Sequence, residues 1–286
     1  MDNQNYNHNT NQTPLEQLES QSMHTDERVV KTYDIGQSSV KITERPIQYV
    51  FDGGLDSESV YYQKMLGVSY SRVMAQLQKG SLVYEAGAFT AALGDINFER
   101  IGLGAGNMLR GMLNKSRGEE FFKSRISGTG FVWLKETTSP LIAVELKNSR
   151  LVLEKGAFYA GFGNLKFSIA GDVGVSNVVL GGGRNLVNVS IEGSGVVILE
   201  LPVKESELLK IPVRPGLPVQ VDDALVLFRY GNVSRRTGLS GGVTTAFLNK
   251  EGVLDVYEGS GYVCVAPTLN IYHELGYTKP EIPEQN

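Results

Sequence analysis

The chain has 286 residues, of which 41% are hydrophobic and 20% charged, enough apolar material for one large β domain or two small domains. Its net charge of −4 argues against a non-specific nucleic-acid binder, which needs a basic surface. A single cysteine, Cys264, excludes an internal disulfide and a cysteine-based zinc cluster and fits a reducing, cytoplasmic setting.

Taken in order, residues 1–27 are rich in Asn, Gln and Ser and predict a disordered tail that cannot bury enough surface to offset ordering. His8 and His24 fall in it and read as solvated side chains rather than a metal-binding pair. The opening residues lack the basic and apolar segments of a secretory signal and the arginines of a transit peptide. Residues 28–67 predict a β-rich arm or hairpin, with strand-like VVKTY, SSVKIT and IQYVF and a turn at Asp52-Gly53-Gly54. From Tyr61 to Gln78 the alternation of Val-Ser-Tyr-Ser-Arg-Val-Met favours strand over a short amphipathic helix.

The stretch Leu82–Phe98, LVYEAGAFTAALGDINF, follows, with Gly87 expected at a turn or bulge. Gly102, Gly104 and Gly106 lack the spacing of a phosphate loop and predict a flexible loop into a short helix, locally basic through Arg110, Lys115 and Arg117. Ser127–Gly130 predicts a turn, followed by a strand in which Trp133 is a core anchor rather than a ligand stacker. Ile142–Leu146 and Leu151–Leu153 predict two more strands. Gly181-Gly182-Gly183 reads as an inter-strand loop, because no helix or lysine follows. Leu186–Ile191 and Val196–Leu201 predict strands, the second buried on both faces. Glu205–Leu209 predicts one helical turn, and Pro215-Gly216 a β-turn. Two strands follow between Val219 and Tyr230. Asp222-Asp223 reads as a turn rather than an acid–base pair, because neighbours on a strand point to opposite faces. Val233–Arg236 is a charged strand or rim. After Gly276 a proline-rich acidic tail, residues 276–286, predicts mobility.

Two phrases recur. Leu151–Phe167, LVLEKGAFYAGFGNLKF, repeats Leu82–Phe98 after 69 positions, and Val219 opens a weaker third copy, VQVDDALVLFRYGN. Gly128-Thr129-Gly130, Gly193-Ser194-Gly195 and Gly259-Ser260-Gly261 each precede an apolar run, 65 and then 66 residues apart. Phrases that repeat in register argue for three copies of one supersecondary unit of about 65 residues. Packed around an approximate axis they predict an all-β, pseudo-threefold β-prism or barrel-like domain over residues 68–275, with the repeated glycines serving the backbone rather than a ligand.

From about Val68 to Tyr272 the chain resembles the AIM24 family. The resemblance rests on Gln78-Lys79-Gly80-Ser81-Leu82-Val83-Tyr84-Glu85-Ala86-Gly87-Ala88, on Gly118-Glu119-Glu120-Phe121-Phe122 and on Gly128-Thr129-Gly130-Phe131-Val132-Trp133-Leu134. Pro215-Gly216 and Val219-Gln220-Val221-Asp222-Asp223-Ala224-Leu225-Val226 follow in order. It implies a β fold related to tryptophan-RNA-binding attenuation proteins and, for mitochondrial members, a part in inner-membrane organisation. It carries no catalytic residues.

No catalytic, cofactor-binding or metal-ligating residue is assigned. Cys264 and His273 lie close in sequence, but the cysteine alternates within an apolar strand and reads as a buried structural thiol without an orienting third group. The expected function is therefore a non-enzymatic scaffold or protein-binding module with a protein partner or self-association. The alternatives are an RNA- or small-ligand-binding regulator, supported locally by Arg235-Arg236 and the 110–117 segment, and a peripheral membrane-organising protein. No apolar run is long enough for a membrane-spanning helix.

Overall fold

The computed structural model describes residues 23–47, 64–65, 67–102, 122–153, 156–170, 188–222, 225–237 and 254–268. The segments 103–121, 171–187, 238–253 and 269–286, with the expected loop and helix near Asn107, the Gly181 loop, His273 and the acidic tail, lie outside the described residues. So do 1–22 and most of IQYVF.

The described chain is all β. Twelve strands form one antiparallel sheet: β1 (Arg28–Ile35), β2 (Ser38–Pro46), β3 (Ser69–Tyr84), β4 (Phe89–Gly102), β5 (Phe122–Leu134), β6 (Leu141–Leu153), β7 (Phe158–Ile169), β8 (Val189–Glu200), β9 (Leu209–Val213), β10 (Val219–Asp222), β11 (Val226–Thr237) and β12 (Leu254–Val265). One 3-10 turn, Glu205–Glu207, falls where a helical turn was expected. The sheet runs β1-β2-β3-β7-β8-β6-β11-β12-β10, with β4 and β5 joined on through β3 and β9 through β12. Strand β3 can serve three partners because it is long. Ser69–Gln76 pairs with β2, Met74–Tyr84 with β5, and Leu82–Tyr84 with β7. At its end both faces are buried: Leu82 and Tyr84 face one apolar cluster and Val83 another.

The glycine phrases correct one expectation. Gly128-Thr129-Gly130 is not a turn. It lies in the middle of β5, as the other two phrases lie within β8 and β12. In each case the last glycine opposes a glycine of the neighbouring strand: Gly130 opposes Gly94, Gly195 opposes Gly163, and Gly261 opposes Gly231. The backbones approach so closely that a Cβ on Gly195 would lie 2.0 Å from the Phe162 carbonyl oxygen. Its φ of 157° is also one that L side chains rarely adopt. The glycines bend a continuous strand; they do not end it.

The hydroxyl between the glycines has its own partner. Strands β3 and β6 each carry a bulge opposite the phrase, with Lys79 and Asn148 at positive φ (50° and 49°). Thr129 Oγ1 accepts a hydrogen bond from Lys79 N (3.1 Å), and Ser194 Oγ accepts one from Asn148 N (2.9 Å). The same bulge explains why the two strands expected at 142–146 and 151–153 are one strand, β6. Similarly, β8 (Val189–Glu200) joins the described part of the segment expected at 186–191 to the one expected at 196–201.

The hairpin β1–β2 is part of the sheet, since β2 pairs with β3 over Ser39–Pro46. Ion pairs hold it. Glu27, just ahead of β1 within the segment expected to be a tail, is buried and takes a two-pronged contact from Arg72. Arg45 grips Glu136 at 2.9 and 2.7 Å, and Lys31 meets Glu205 at 2.9 Å.

Candidate functional site

The residues weighed for chemistry are mostly engaged in structure. Cys264 is fully buried, and burial pushes its thiol up to about 11, the opposite of what a nucleophilic cysteine requires. Arg235 pairs with buried Asp255 at 2.7 Å and Arg236 with Glu258, so both arginines have acidic partners. Asp222 closes β10, and Asp223 lies outside the described residues. Trp133 belongs to none of the three core clusters. It is half-buried and stacks on Phe131 (6.0 Å between ring centres), while its neighbours Val132 and Leu134 fill the core instead. His24 lies 3.7 Å from Glu136. Among the described residues no three His, Cys, Asp or Glu side chains gather as metal ligands would.

What stands out is a difference between equivalent strands. Strands β4 and β7 share a register: each has a bulge after its first residue, at Phe89/Ala91 and Phe158/Ala160, and each opposes glycine with glycine five residues later. Each carries an edge-to-face aromatic pair, Phe89–Phe98 at 5.1 Å and Phe158–Phe167 at 5.4 Å. Their surroundings differ. Phe158 and Phe162 are 4% and 3% exposed, whereas their counterparts Phe89 and Leu93 are 37% and 49% exposed and Phe98 is 57% exposed. The cause is a neighbour. The outer edge of β7 is paired with β3, Leu82 to Phe162 and Tyr84 to Ala160. The corresponding edge of β11 is paired with β6, Leu151 to Tyr230 and Leu153 to Phe228. Among the described residues, β4 pairs only with β5, which leaves its outer edge and three large apolar side chains uncovered. Isolated exposed apolar residues are ordinary; three on one strand beside an edge unpaired among the described residues make β4 the candidate surface. The sequence signal was present in the repeat, because Phe89 and Phe98 align with Phe158 and Phe167. Sequence alone does not tell which copy lacks a covering strand.

A second feature is a groove of about 390 Å³ between β6 and β11–β12. Tyr230 and Tyr262 stack in its wall (5.1 Å, 12° between planes), and Glu145, Lys147, Glu205 and Lys210 surround it. Burial first, then the nearby Cys264 and Tyr230, pushes the Tyr262 phenol up to about 12, so it stays neutral. Among the described residues no helix is long and apolar enough to cross a membrane.

Comparison with known proteins agrees with this architecture. No curated protein matches the chain. The crystal structure of protein SPYM3_0169 from Streptococcus pyogenes is similar in fold, with a TM-score of 0.50 at 19% identity, covering 73% of this chain and 93% of that one. The profile of the family described as mitochondrial biogenesis AIM24 matches residues 63–268, and the chain belongs to that family.

Proposed function

We propose that this AIM24-family chain is a non-enzymatic docking module that associates with protein through strand β4. The observation that carries this reading is the exposure of Phe89, Leu93 and Phe98 on a strand whose counterpart β7 is buried. An unpaired edge flanked by apolar side chains, Leu93 on one face of the strand and Phe89 and Phe98 on the other, is the arrangement that strand addition uses: the backbone supplies affinity and the side chains supply selectivity. The test is retention of proteins from the native host by the immobilised full chain and by Leu93→Lys/Phe98→Lys. Loss of specific retention in the variant supports the reading, and unchanged retention contradicts it. A turnover abolished by Cys264→Ser or by changing His273 would contradict the non-enzymatic part.

We also infer that the chain is three copies of one unit, β3–β5, β6–β8 and β9–β12, packed around an approximate threefold axis. Three matched glycine registers and two matched inter-unit pairings support this. A small-ligand reading is favoured by one observation, the Tyr230–Tyr262 stack lining the groove. A ligand that protects the chain thermally, with protection lost in Tyr262→Ala, supports that alternative. The engaged arginines weigh against RNA, which salt-dependent filter binding tests. The lone cysteine is compatible with a cytoplasmic setting, which host fractionation tests.

A further inference from the structure

The unpaired edge of β4 has a complement elsewhere in the chain. Strand β10 pairs with β12 on one side, Val221 opposite Asp255, and with nothing on the other among the described residues. By register, Val219–Val221 occupies in the last unit the place that Leu82–Tyr84 holds in the first and Leu151–Leu153 in the second. In those two units the segment pairs with the following unit: Val83 opposes Gly161, and Val152 opposes Arg229. Among the described residues no such unit follows the last one, and none precedes β4 of the first. Among the described residues β4 and β10 do not pair, and the apolar cluster beside β10 contains no residue of β4.

We infer that the uncovered edge of β4 receives β10 of a second copy of this chain, head to tail, in the register of the two internal junctions. This rests on the docking reading and names its occupant. The register opposes Val219 to Leu93, Gln220 to Ala92 and Val221 to Ala91. Leu217, 63% exposed just ahead of β10, joins the apolar contact. A heterologous contact of this kind leaves one β4 and one β10 free at the ends of any open assembly, so it propagates until a ring closes.

The test is disulfide trapping in the full chain. Ala92→Cys and Gln220→Cys are made singly and together. Directly opposed residues of an antiparallel pair have Cα atoms about 4.5–5.5 Å apart, within the span of a disulfide. Cys264 is buried and stays silent in the folded protein. Under mild oxidation the mixed single variants give a covalent dimer that either alone does not, and the double variant gives a ladder of multimers. Two results overturn the inference: an internally linked monomer from the double variant, meaning the chain's own β10 covers β4, or no link beyond the single-variant background. If trapping fails while Leu93→Lys/Phe98→Lys still loses protein retention, the docking reading stands and the second copy is not its occupant. A monomeric mass for the wild-type chain at all concentrations in sedimentation equilibrium also overturns it, independently of any variant.

Discussion

Replacing Gly195 by alanine tests why the glycine phrases recur. The added methyl would sit 2.0 Å from Phe162 O, 3.1 Å from Phe162 C and 3.2 Å from Gly163 Cα. Carbon contacts are comfortable near 3.5–4.0 Å, so β7 must retreat by roughly 1.5 Å. That loosens the Phe162–Val196 and Gly163–Gly195 pairings beside a cluster in which both Phe162 and Val196 are buried. Overpacking costs about 1–3 kcal/mol, and weakening one or two ladder hydrogen bonds adds about 0.5–1.5 kcal/mol each. A backbone conformation nearly reserved for glycine adds about 1–3 kcal/mol. The expected loss is roughly 2.5–9 kcal/mol, a large share of the roughly 5–15 kcal/mol that holds a typical domain folded. Ser194→Ala in the same phrase is the control. It removes one exposed hydrogen bond from Asn148 N and costs about 1 kcal/mol. Urea unfolding followed by circular dichroism measures both, with the slope unchanged if the folded state is preserved. A Gly195→Ala loss below about 1 kcal/mol would refute the close-approach argument.

Three further predictions concern other parts of the molecule. The hairpin β1–β2 loosens in acid. Burial alone would raise Glu27, but hydrogen bonds from Arg72 and Thr43 outweigh it and hold the carboxyl below its usual value, while Arg45 lowers Glu136 and Lys31 lowers Glu205. Depressed carboxylates stabilise fully above their unfolded values near 4.3, and that stability is lost as pH falls through the folded values. Denaturation midpoints therefore hold between about pH 5 and 7 and drop below about pH 4.5. Arg72→Met, which removes the Glu27 partner, flattens part of that dependence. Cys264, raised to about 11 by burial, stays unreactive to a thiol reagent in the native chain and reacts stoichiometrically in urea; fast native labelling contradicts its placement. Leu93→Lys changes monomer stability by less than about 0.5 kcal/mol because the site is exposed, whereas Phe162→Ala at the equivalent buried position costs about 3–5 kcal/mol. Equal losses at the two positions would mean that β4 is already covered.

The sequence made the all-β class legible because alternation, tyrosines and glycines all pointed the same way, and the repeat located the residues that matter most. Its limits are physical. Gly128–Gly130 looked like a turn because composition reports that glycine is needed without saying whether the chain reverses or bends. Trp133 looked like a core anchor because size predicts burial, yet Val132 and Leu134, on the opposite face of β5, filled the core. Glu27 looked like part of a solvated tail because Arg72, which binds it, lies 45 residues away. The uncovered β4 could not be read at all. Phe89 and Phe158 are the same residue in the same phrase, and only the partner strand, set by topology, distinguishes the buried copy from the exposed one.

The measurement closest to the central claim is amide hydrogen exchange of the full chain at low and high concentration. Where β4 docks a second copy, the outward-facing amides among residues 91–93 exchange quickly when dilute and become protected when concentrated, as do those of 219–221. Residues 160–162 and 228–230, whose edges are already paired, stay protected throughout. Protection of those outward-facing amides at the lowest concentration, or equally fast exchange at every concentration, would contradict the account.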